Sequence, residues 1–453
     1  MPYRMLVIVG AYLSCHLGLI EILTGQDMEL TLDRIVDNYY YDGPGYVITV
    51  DRGGEPIYQK AIGMADIEEQ SQLQLNHEFR IGSITKQFTA VAILRMIEAG
   101  TICMTDPLIE FLPDYPDPLG RITLEHLLTH TSGIKSYTEL EQWNHMSLDD
   151  LISISEIIDL FRDEPVDFAP GDEFRYNNSG YYLLGRIIEI VSGLPYDDYL
   201  YKDLIEPLNL MQTHYGDSEA SSALRAQGYQ VGEHGQYRLA DSINMDNAYA
   251  AGALVSTVSD LSQWYSSVAR GSVMSAKMLD RAWTPYQLAD GTYTNYGYGW
   301  YLNEVDGIRV IRHGGGINGF STASAYLPEE DIFVAVFSNN QQHPTDGLMK
   351  KIVGSILGLS SSDPERIEVT SSTLSSYAGT YQLKDGQQIE IIIDQNRLIG
   401  YTDWQAKVEL IPIGQHTFYV AAEESKVRFN VNRQGVCKSL TLYTGTVSMA
   451  IKV

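Results

Sequence analysis

The chain has 453 residues, of which 44% are apolar and 20% are charged. This composition excludes disorder over most of the chain, and the length predicts two or three domains. Because 58 Asp and Glu residues stand against 31 Lys and Arg residues, the formal net charge is -27. Such a charge repels phosphate backbones and anionic lipid surfaces, which excludes nucleic acid as a partner.

Residues 1–25 have the layout of a secretory signal, with Arg4 before a mostly apolar stretch from Met5 to Leu23. A buried first helix is the alternative. The apolar run is shorter than the ~20 residues that a bilayer requires, so we expect no stable membrane span after processing. The sequence therefore predicts export to the periplasm or the extracellular space, with lipid anchoring at Cys15 as a further alternative.

The cysteines are too few and too scattered for a disulfide framework. Cys103 and Cys437 would remain after loss of a signal that contains Cys15, and they lie in different predicted domains. The sequence therefore predicts free structural thiols.

Residues 26–357 mix strand and helix patterns. Tyr46–Tyr58 alternates apolar and polar residues around a Gly-Gly turn, which predicts a hairpin. Helices are predicted over Ser83–Glu98, Glu125–Thr129, Ser179–Val191, Ser259–Val268 and Leu348–Leu357, and strands over Arg309–Ile311 and Ile332–Phe337. Strands at both ends with helices between them predict an α+β domain whose sheet is completed by distant segments.

The last part of the chain changes in texture. Residues 358–375 are rich in Ser, Asp, Pro and Glu, which predicts an interdomain linker. From residue 376 to residue 453 apolar side chains recur at every second position, as in Val427-Phe429-Val431, with turn residues between the runs. This pattern predicts a small antiparallel barrel or sandwich.

The first candidate for chemistry is Ser83-Ile84-Thr85-Lys86, at the start of a predicted buried helix. Residues three apart share a helix face, so the Ser83 hydroxyl and the Lys86 amine can meet. A lysine activates a serine only if burial lowers its pKa from ~10.4, and the apolar surroundings of Lys86 offer that burial.

The second candidate is Tyr176-Asn177-Asn178, in a loop between a Pro-Gly turn and a strongly patterned helix. A phenol near an amine can relay protons, and the Asn178 amide can bind a substrate carbonyl.

The third candidate is His313-Gly314-Gly315-Gly316, between two predicted strands. Glycines let a substrate approach backbone N–H groups, which can complete an oxyanion hole. A phosphate-cradling loop is disfavoured, because no Lys-Ser or Lys-Thr follows and no helix pattern opens there.

Two further patterns are interpreted as structural. Ser132 and Lys135 repeat the Ser-x-x-Lys spacing within a glycine-containing turn, where no helix brings the two together. His126 and His130 have the spacing of metal ligands on one helix face, but Leu127 stands where a metalloprotease has glutamate. We therefore expect no metal site.

Taken together and in this order, the three elements resemble those of the serine β-lactamase and penicillin-binding-protein superfamily. They are most similar to the branch of class C β-lactamases, D-stereospecific peptidases and related esterases. The resemblance covers about residues 43–357 and includes TLEHLLTHTSG at Thr123–Gly133, FAPG at Phe168–Gly171 and YGYGW at Tyr296–Trp300.

The resemblance implies an antiparallel sheet packed by helices, an all-α lobe, a site between them and a lipocalin-like barrel as the tail. It implies an acyl-enzyme on Ser83, proton handling by Lys86 and Tyr176, and an oxyanion held by the N–H groups of Ser83 and Gly316. It implies neither metal nor cofactor. The candidate residues, identified by the motifs and the resemblance together, are Ser83, Lys86, Tyr176 and His313 as catalytic residues and Asn178, Gly315 and Gly316 as substrate-binding residues.

One departure bears on the substrate. The resembled β-lactamases and carboxypeptidases usually have Lys-Thr-Gly or Lys-Ser-Gly where this chain has His313 and Gly314. A neutral imidazole and a missing hydroxyl weaken carboxylate binding. We therefore expect an esterase or a D-stereospecific peptidase or amidase acting on a small-molecule or peptide acyl substrate, and a homo-oligomer is compatible with the sequence. The alternatives are a β-lactamase or D-Ala-D-Ala carboxypeptidase, and a non-catalytic sensor or binding module.

Overall fold

The fold is known from a computed structural model of the protein. It describes residues 25–116, 121–216, 224–232, 235–359, 364, 366–384, 386–402, 407–421, 425–432, 434–444 and 446–453. The predicted secretory signal, including Cys15, lies outside these residues except for Gly25.

The α-helices in chain order are α1 (Gly25–Tyr39), α2 (Thr85–Glu98), α3 (Leu124–Leu128), α4 (Glu141–Asn144), α5 (Ile154–Arg162), α6 (Asn178–Ser192), α7 (Tyr196–Leu200), α8 (Tyr249–Gly252), α9 (Val258–Ala269), α10 (Ala276–Ala282), α11 (Thr345–Ile356) and α12 (Ser371–Tyr377). Short 3₁₀ turns span Gly82–Ile84, Leu108–Glu110, Tyr137–Glu139 and Met245–Asn247, and a π-helical turn spans Tyr201–Ile205.

The strands before the barrel are β1 (Tyr46–Arg52), β2 (Glu55–Ile62), β3 (Met64–Asp66), β4 (Ser71–Gln72), β5 (Phe79–Arg80), β6 (His214–Tyr215), β7 (Tyr229–Val231), β8 (Tyr237–Leu239), β9 (Leu254–Ser256), β10 (Tyr301–Val305), β11 (Ile308–Ile317), β12 (Phe320–Leu327) and β13 (Ile332–Ser338). The later strands are β14 (Gly379–Gln382), β15 (Gln388–Asp394), β16 (Arg397–Tyr401), β17 (Val408–Gly414), β18 (Thr417–Val420), β19 (Ser425–Val431), β20 (Cys437–Thr444) and β21 (Thr446–Lys452).

The main sheet has the order β10-β11-β12-β13-β1-β2 and is antiparallel. Its central pairing joins distant parts of the chain, since Tyr46 lies opposite Ser338. The hairpin between β1 and β2 turns at Gly53 and Gly54, both with positive φ, a backbone region that glycine enters without a steric cost. The predicted sheet of distant segments is therefore confirmed.

Helices cover both faces of this sheet. Every residue of β13 is buried. Phe333 and Phe337 pack into the core that contains α2 and α9, whereas Val334 and Val336 pack into the core that contains α1 and α11. Burial on both faces explains why β13 reads as a continuous apolar run without alternation.

The all-α lobe is built from α3 to α7, and its contact with the sheet domain is made by α2. Nearly all of α2 is buried, from Thr85 to Leu94 without a break, and α6 packs against both α2 and α8. Gly100 and Gly193 follow α2 and α6 with φ of +73° and +70°, as expected of glycines that end helices. The site lies where the start of α2, the start of α6 and strand β11 meet.

Strands β14 to β21 form a closed antiparallel barrel in sequence order. Its interior is filled by side chains such as Tyr381, Phe418 and Phe429, and Tyr377 stacks on Phe429 with ring centroids 4.3 Å apart. Strand β19 alternates between buried and exposed residues, as predicted from the period of two. The apolar row of β21 differs, because Met449 and Ile451 are 56% and 61% exposed while Ala450 between them is buried.

The predicted linker differs from the structure at its end. Residues 371–377 form α12, which begins after Thr370 and packs Leu374 and Tyr377 into the barrel core. The spacing of three residues places both side chains on one helix face, so the barrel core begins before residue 376.

Within the described residues, no helix combines the length and the apolar character that a membrane crossing needs.

Candidate active site

Ser83 stands on the 3₁₀ turn Gly82–Ile84 that leads into α2. The residue before the turn is held on both sides, since the Ile81 N–H donates to the Leu254 carbonyl at 2.9 Å and the Thr322 hydroxyl donates to the Ile81 carbonyl at 3.0 Å. Gly82 has a φ of +51°, and a Cβ on it would lie 2.9 Å from the Gly316 nitrogen. The turn therefore requires glycine beside Ser83, and it presents the hydroxyl next to β11.

Lys86 lies one turn into α2 with its side chain fully buried. Its Nζ is 3.1 Å from Ser83 Oγ, 2.8 Å from Asn178 Oδ1 and 2.8 Å from the Ala251 carbonyl. Burial lowers the pKa of Lys86 well below its ordinary value of 10.5, and none of the described residues shifts it back up. The site thus favours a neutral amine beside the serine.

Tyr176 covers the other side of this amine, with its ring centroid 4.9 Å from Lys86 Nζ. Its buried hydroxyl makes no hydrogen bond of normal geometry, yet it is close enough to Ser83 for that side chain to act on its pKa. Burial raises the pKa of Tyr176 well above 10, and the neighbouring Ser83 opposes this rise. The phenol therefore keeps its proton in the resting site.

Asn178 is the first residue of α6, and its position is fixed by several hydrogen bonds. Asn177 caps the helix by accepting from the Gly180 N–H at 2.7 Å. The Asn178 N–H donates to Ser136 Oγ at 3.2 Å, and Asn178 Nδ2 donates to Thr138 Oγ1 at 3.0 Å. Its amide oxygen is thereby turned towards Lys86.

The glycines of β11 allow this strand to approach the serine turn. A Cβ on Gly315 would lie 1.9 Å from the Ile81 carbonyl oxygen, a distance that no side chain tolerates. Gly316, by contrast, has open space where its Cβ would be and borders the same cavity as Ser83. The close contact therefore requires glycine at position 315 but not at position 316.

His313 lies behind the site. Its ring is 2% exposed, and its two nitrogens are 3.0 Å from the Tyr296 hydroxyl and 2.6 Å from the Gly314 carbonyl oxygen. The carbonyl requires a proton on Nδ1, so Nε2 accepts from Tyr296. Burial lowers the pKa of His313 to about 3, so the imidazole is neutral. His313 is not among the residues that line the cavity.

A cavity of about 170 Å³ opens above Ser83. None of the described residues that line it carries a charge. They are Ser83, Tyr137, Thr138, Trp143, Leu148, Asn178, Ile243, Ala248, Ala251, Gly252, Gly316, Ile317 and Asn318. Part of the lining is aromatic, with Tyr137 and Trp143 edge to face at 4.8 Å between ring centroids.

The model of the β-lactamase family matches residues 32–354, which include all three motifs. The chain belongs to the β-lactamase family. A second family model, a domain of unknown function (DUF3471), matches residues 363–452 and thus the barrel.

The chain is similar to penicillin-binding protein 4* of Bacillus subtilis. The two are 26% identical over 92% of this chain and 96% of that protein. A D-stereospecific amidohydrolase from Streptomyces has a similar structure, with a TM-score of 0.60, 27% identity and coverage of 72% of this chain and 98% of that one. The octameric penicillin-binding protein homologue from Pyrococcus abyssi shares the fold over 94% of this chain and 99% of its own, with a TM-score of 0.67 and 24% identity. The protein is a serine hydrolase of this β-lactamase and penicillin-binding-protein superfamily.

The sequence pattern identified the three segments of the β-lactamase-type site but missed the residues that support them. Tyr137, Trp143 and the Ala251 carbonyl carry no local motif and reach the site only through the fold. Tyr296 was noted within YGYGW, but its hydrogen bond to His313 has no signal in the sequence.

The two patterns interpreted as structural stay outside the cavity. Lys135 forms an ion pair with Asp167 at 2.5 Å, and Ser132 accepts from the Ile134 N–H at 3.3 Å. His126 forms a capping box with Thr123 at the start of α3. Among the described residues no cluster of three or more His, Cys, Asp or Glu side chains is arranged to hold a metal ion.

Proposed function

We propose that the protein hydrolyses esters or amides through an acyl-enzyme on Ser83. The observation that carries this proposal is the buried Lys86 amine, 3.1 Å from Ser83 Oγ and without a carboxylate among the groups that shift its pKa. A neutral amine has one lone pair and two N–H groups. The lone pair would accept the Ser83 proton while the N–H groups donate to Asn178 Oδ1 and the Ala251 carbonyl.

In the acylation step, Ser83 Oγ forms a bond to the substrate carbonyl carbon and its proton moves to Lys86 Nζ. The bond to the leaving group then breaks, and the leaving oxygen or nitrogen takes a proton that Lys86 and the Tyr176 hydroxyl relay to it. The high pKa of Tyr176 suits it to give a proton and recover one. In deacylation, water gives its proton to Lys86 and attacks the ester, and Ser83 Oγ regains a proton as the acid leaves.

The carbonyl oxygen becomes negative in both steps. We propose that the N–H groups of Ser83 and Gly316 bind it, which the close approach of the Ser83 turn to β11 supports. Asn178, which faces the cavity, would orient the acyl side of the substrate. His313 would act by supporting the tyrosines around the site, because both of its nitrogens are already occupied within the protein.

The uncharged cavity wall supports an acyl group that carries no carboxylate near the scissile bond. A substrate carboxylate would lose its hydration in the cavity and find no cation among the described lining residues. We therefore place esters and D-amino-acid amides ahead of β-lactams and D-Ala-D-Ala peptides.

The nucleophile is tested by treating the protein with a fluorophosphonate and locating the added mass. We expect modification of Ser83 and no modification of the Ser83→Ala variant. The matched control is Ser132→Ala, which removes the serine of the second Ser-x-x-Lys pattern and should keep both labelling and turnover. An unlabelled Ser83 in the folded protein would instead support a non-catalytic binding module.

The substrate class is tested by comparing kcat/KM for short-chain nitrophenyl esters, D-amino-acid amides and a chromogenic cephalosporin. We expect the cephalosporin to be the poorest substrate. A cephalosporin turned over faster than the esters and amides would contradict the proposed class.

We further propose that the enzyme is exported and that it self-associates. The signal-like layout of residues 1–25 supports export, and N-terminal sequencing of the protein recovered outside the cytoplasm tests it. The octameric state of the Pyrococcus homologue and the exposed row of Met449 and Ile451 support association. A monomeric mass in solution would contradict it.

A further inference from the structure

His130 accepts hydrogen bonds from the main-chain N–H groups of the two residues that flank Tyr176. Its main-chain carbonyl accepts from the Arg175 N–H at 3.0 Å, and its ring Nδ1 accepts from the Asn177 N–H at 3.1 Å. One residue from the loop after α3 thus fixes the backbone immediately before and immediately after the phenol.

The His130 ring also forms part of the surface on which Tyr176 rests. It is 1% exposed, and its centroid lies 4.4 Å from that of Tyr176, 4.7 Å from that of Tyr296 and 5.0 Å from that of Tyr181. The imidazole therefore restricts both the position of the Tyr176 backbone and the tilt of its ring.

The protonation state of this ring follows from its contacts. Because Nδ1 accepts from a backbone N–H, the neutral ring carries its proton on Nε2. Burial lowers the pKa of His130 well below 6.5, and a proton gained by Lys86 would lower it further. The ring stays neutral and keeps its acceptor while Lys86 gains and loses a proton.

The backbone of His130 is in the left-handed region, with a φ of +59°. Apart from glycine, the residues found most often in this conformation are asparagine, aspartate and histidine. With this backbone conformation, the Nδ1 atom of His130 accepts the hydrogen bond from the Asn177 N–H.

We propose that His130 is a positioning residue for Tyr176, which holds the phenol where it can relay protons between Lys86 and the leaving group. This role of His130 rests on the proposed role of Tyr176. His130 itself contacts no substrate atom. Loss of the ring would let Tyr176 shift, and displacements of about 1 Å at a reacting group can reduce turnover roughly 100-fold.

The test is a double-mutant cycle with His130→Gly and Tyr176→Phe, measured on the best ester of the panel. Glycine removes the ring without straining the left-handed backbone. We expect His130→Gly to lower kcat by about 30-fold with little change in KM, and to cost less than about 3-fold in the Tyr176→Phe background. His130→Asn keeps an acceptor and tolerates the same φ, so it should recover most of the loss.

The control is His126→Gly, which disturbs the neighbouring helix start without contacting Tyr176 and should cost the same factor in both backgrounds. Equal losses from His130→Gly in the two backgrounds, or a change in KM alone, would overturn the inference. If the glycine variant does not fold, His130→Ala, which also lacks the ring, runs the same cycle, and its loss must again disappear with Tyr176→Phe. Wild-type turnover of Tyr176→Phe would instead remove the proposed role of the phenol.

Discussion

At the scale of single residues, Lys86 is buried where a positive charge is unfavourable, and its amine lies within hydrogen-bond distance of Ser83, Asn178 and the Ala251 carbonyl. A buried ammonium without a carboxylate is costly, so the folded state releases the proton at a pH where the unfolded chain still holds it. The same burial thus leaves a neutral amine beside Ser83 and lowers the stability of the fold around neutral pH.

The pH dependence of unfolding tests this statement. Between the lowered pKa of Lys86 in the folded state and about 10.4 in the unfolded chain, the unfolded state binds one more proton, so stability rises with pH. Lys86→Met should lose this rise, which amounts to at most about 1.4 kcal/mol per pH unit. Denaturant unfolding of both proteins at pH 7, 8 and 9 measures the difference in slope, and equal slopes would contradict a neutral Lys86.

Much of the site could be predicted from sequence at this scale, for identifiable reasons. Ser83 and Lys86 are three residues apart at the start of α2, so local helical geometry brings them together, and Tyr176 and His313 lie in the other two motifs. His130, Trp143 and the Ala251 carbonyl could not be predicted, because each enters the site through packing between segments distant in sequence.

At the scale of elements, strand β11 and the 3₁₀ turn before α2 lie so close together that only glycine fits at the contact. Gly315 faces the Ile81 carbonyl, and that residue is two positions before Ser83. The serine is therefore positioned by a strand from late in the chain as much as by its own helix. The sequence predicted α2, α3, α6, α9 and α11, whereas the other α-helices, including α1 after the predicted signal and α12 within the predicted linker, were not predicted.

Gly315→Ala should push strand β11 and the serine turn apart. The added Cβ would lie 1.9 Å from the Ile81 oxygen and 2.6 Å from Thr322 Oγ1, so the strand or the serine turn must move. We expect kcat/KM to fall by roughly 100-fold, with a loss of about 1–3 kcal/mol in stability.

Gly314→Ala is the matched control, because its Cβ would meet only the Thr322 carbonyl oxygen at 3.4 Å, an ordinary contact. Ester hydrolysis and thermal unfolding of the two variants check the difference. Equal activity in both would show that β11 does not position Ser83.

At the scale of the whole molecule, the barrel shares a core with the hydrolase domain. Ile411 and Tyr419 from the barrel pack into the cluster that contains α1 and α11, and Lys351 lies 5.9 Å from the Tyr419 ring centroid. Lys407 and Asp42 add an ion pair at 3.9 Å across the same boundary. The barrel was predicted from the alternation of apolar residues at every second position. Its contact with the hydrolase domain was not predicted, because this alternation does not show what the outer face of a strand packs against.

Ile411→Asp should therefore destabilise the hydrolase domain as well as the barrel. Ile411 is 3% exposed, and an unpaired carboxylate in its place should cost at least about 3 kcal/mol. The control is Met449→Asp, at a position 56% exposed on the outside of the barrel. Thermal unfolding followed by residual esterase activity should show a loss for the first variant alone, and equal melting of both would contradict a shared core.

The pairing of β1 with β13 governs when the protein can finish folding. Tyr46 is made early, whereas its neighbour Ser338 emerges from the ribosome only after the whole all-α lobe. Until then β1 has β2 on one side and an open hydrogen-bonding edge on the other, a state prone to association with other chains. Native contacts of such long range also slow folding. Early β1 is therefore the segment that a chaperone has most reason to cover until β13 has been made.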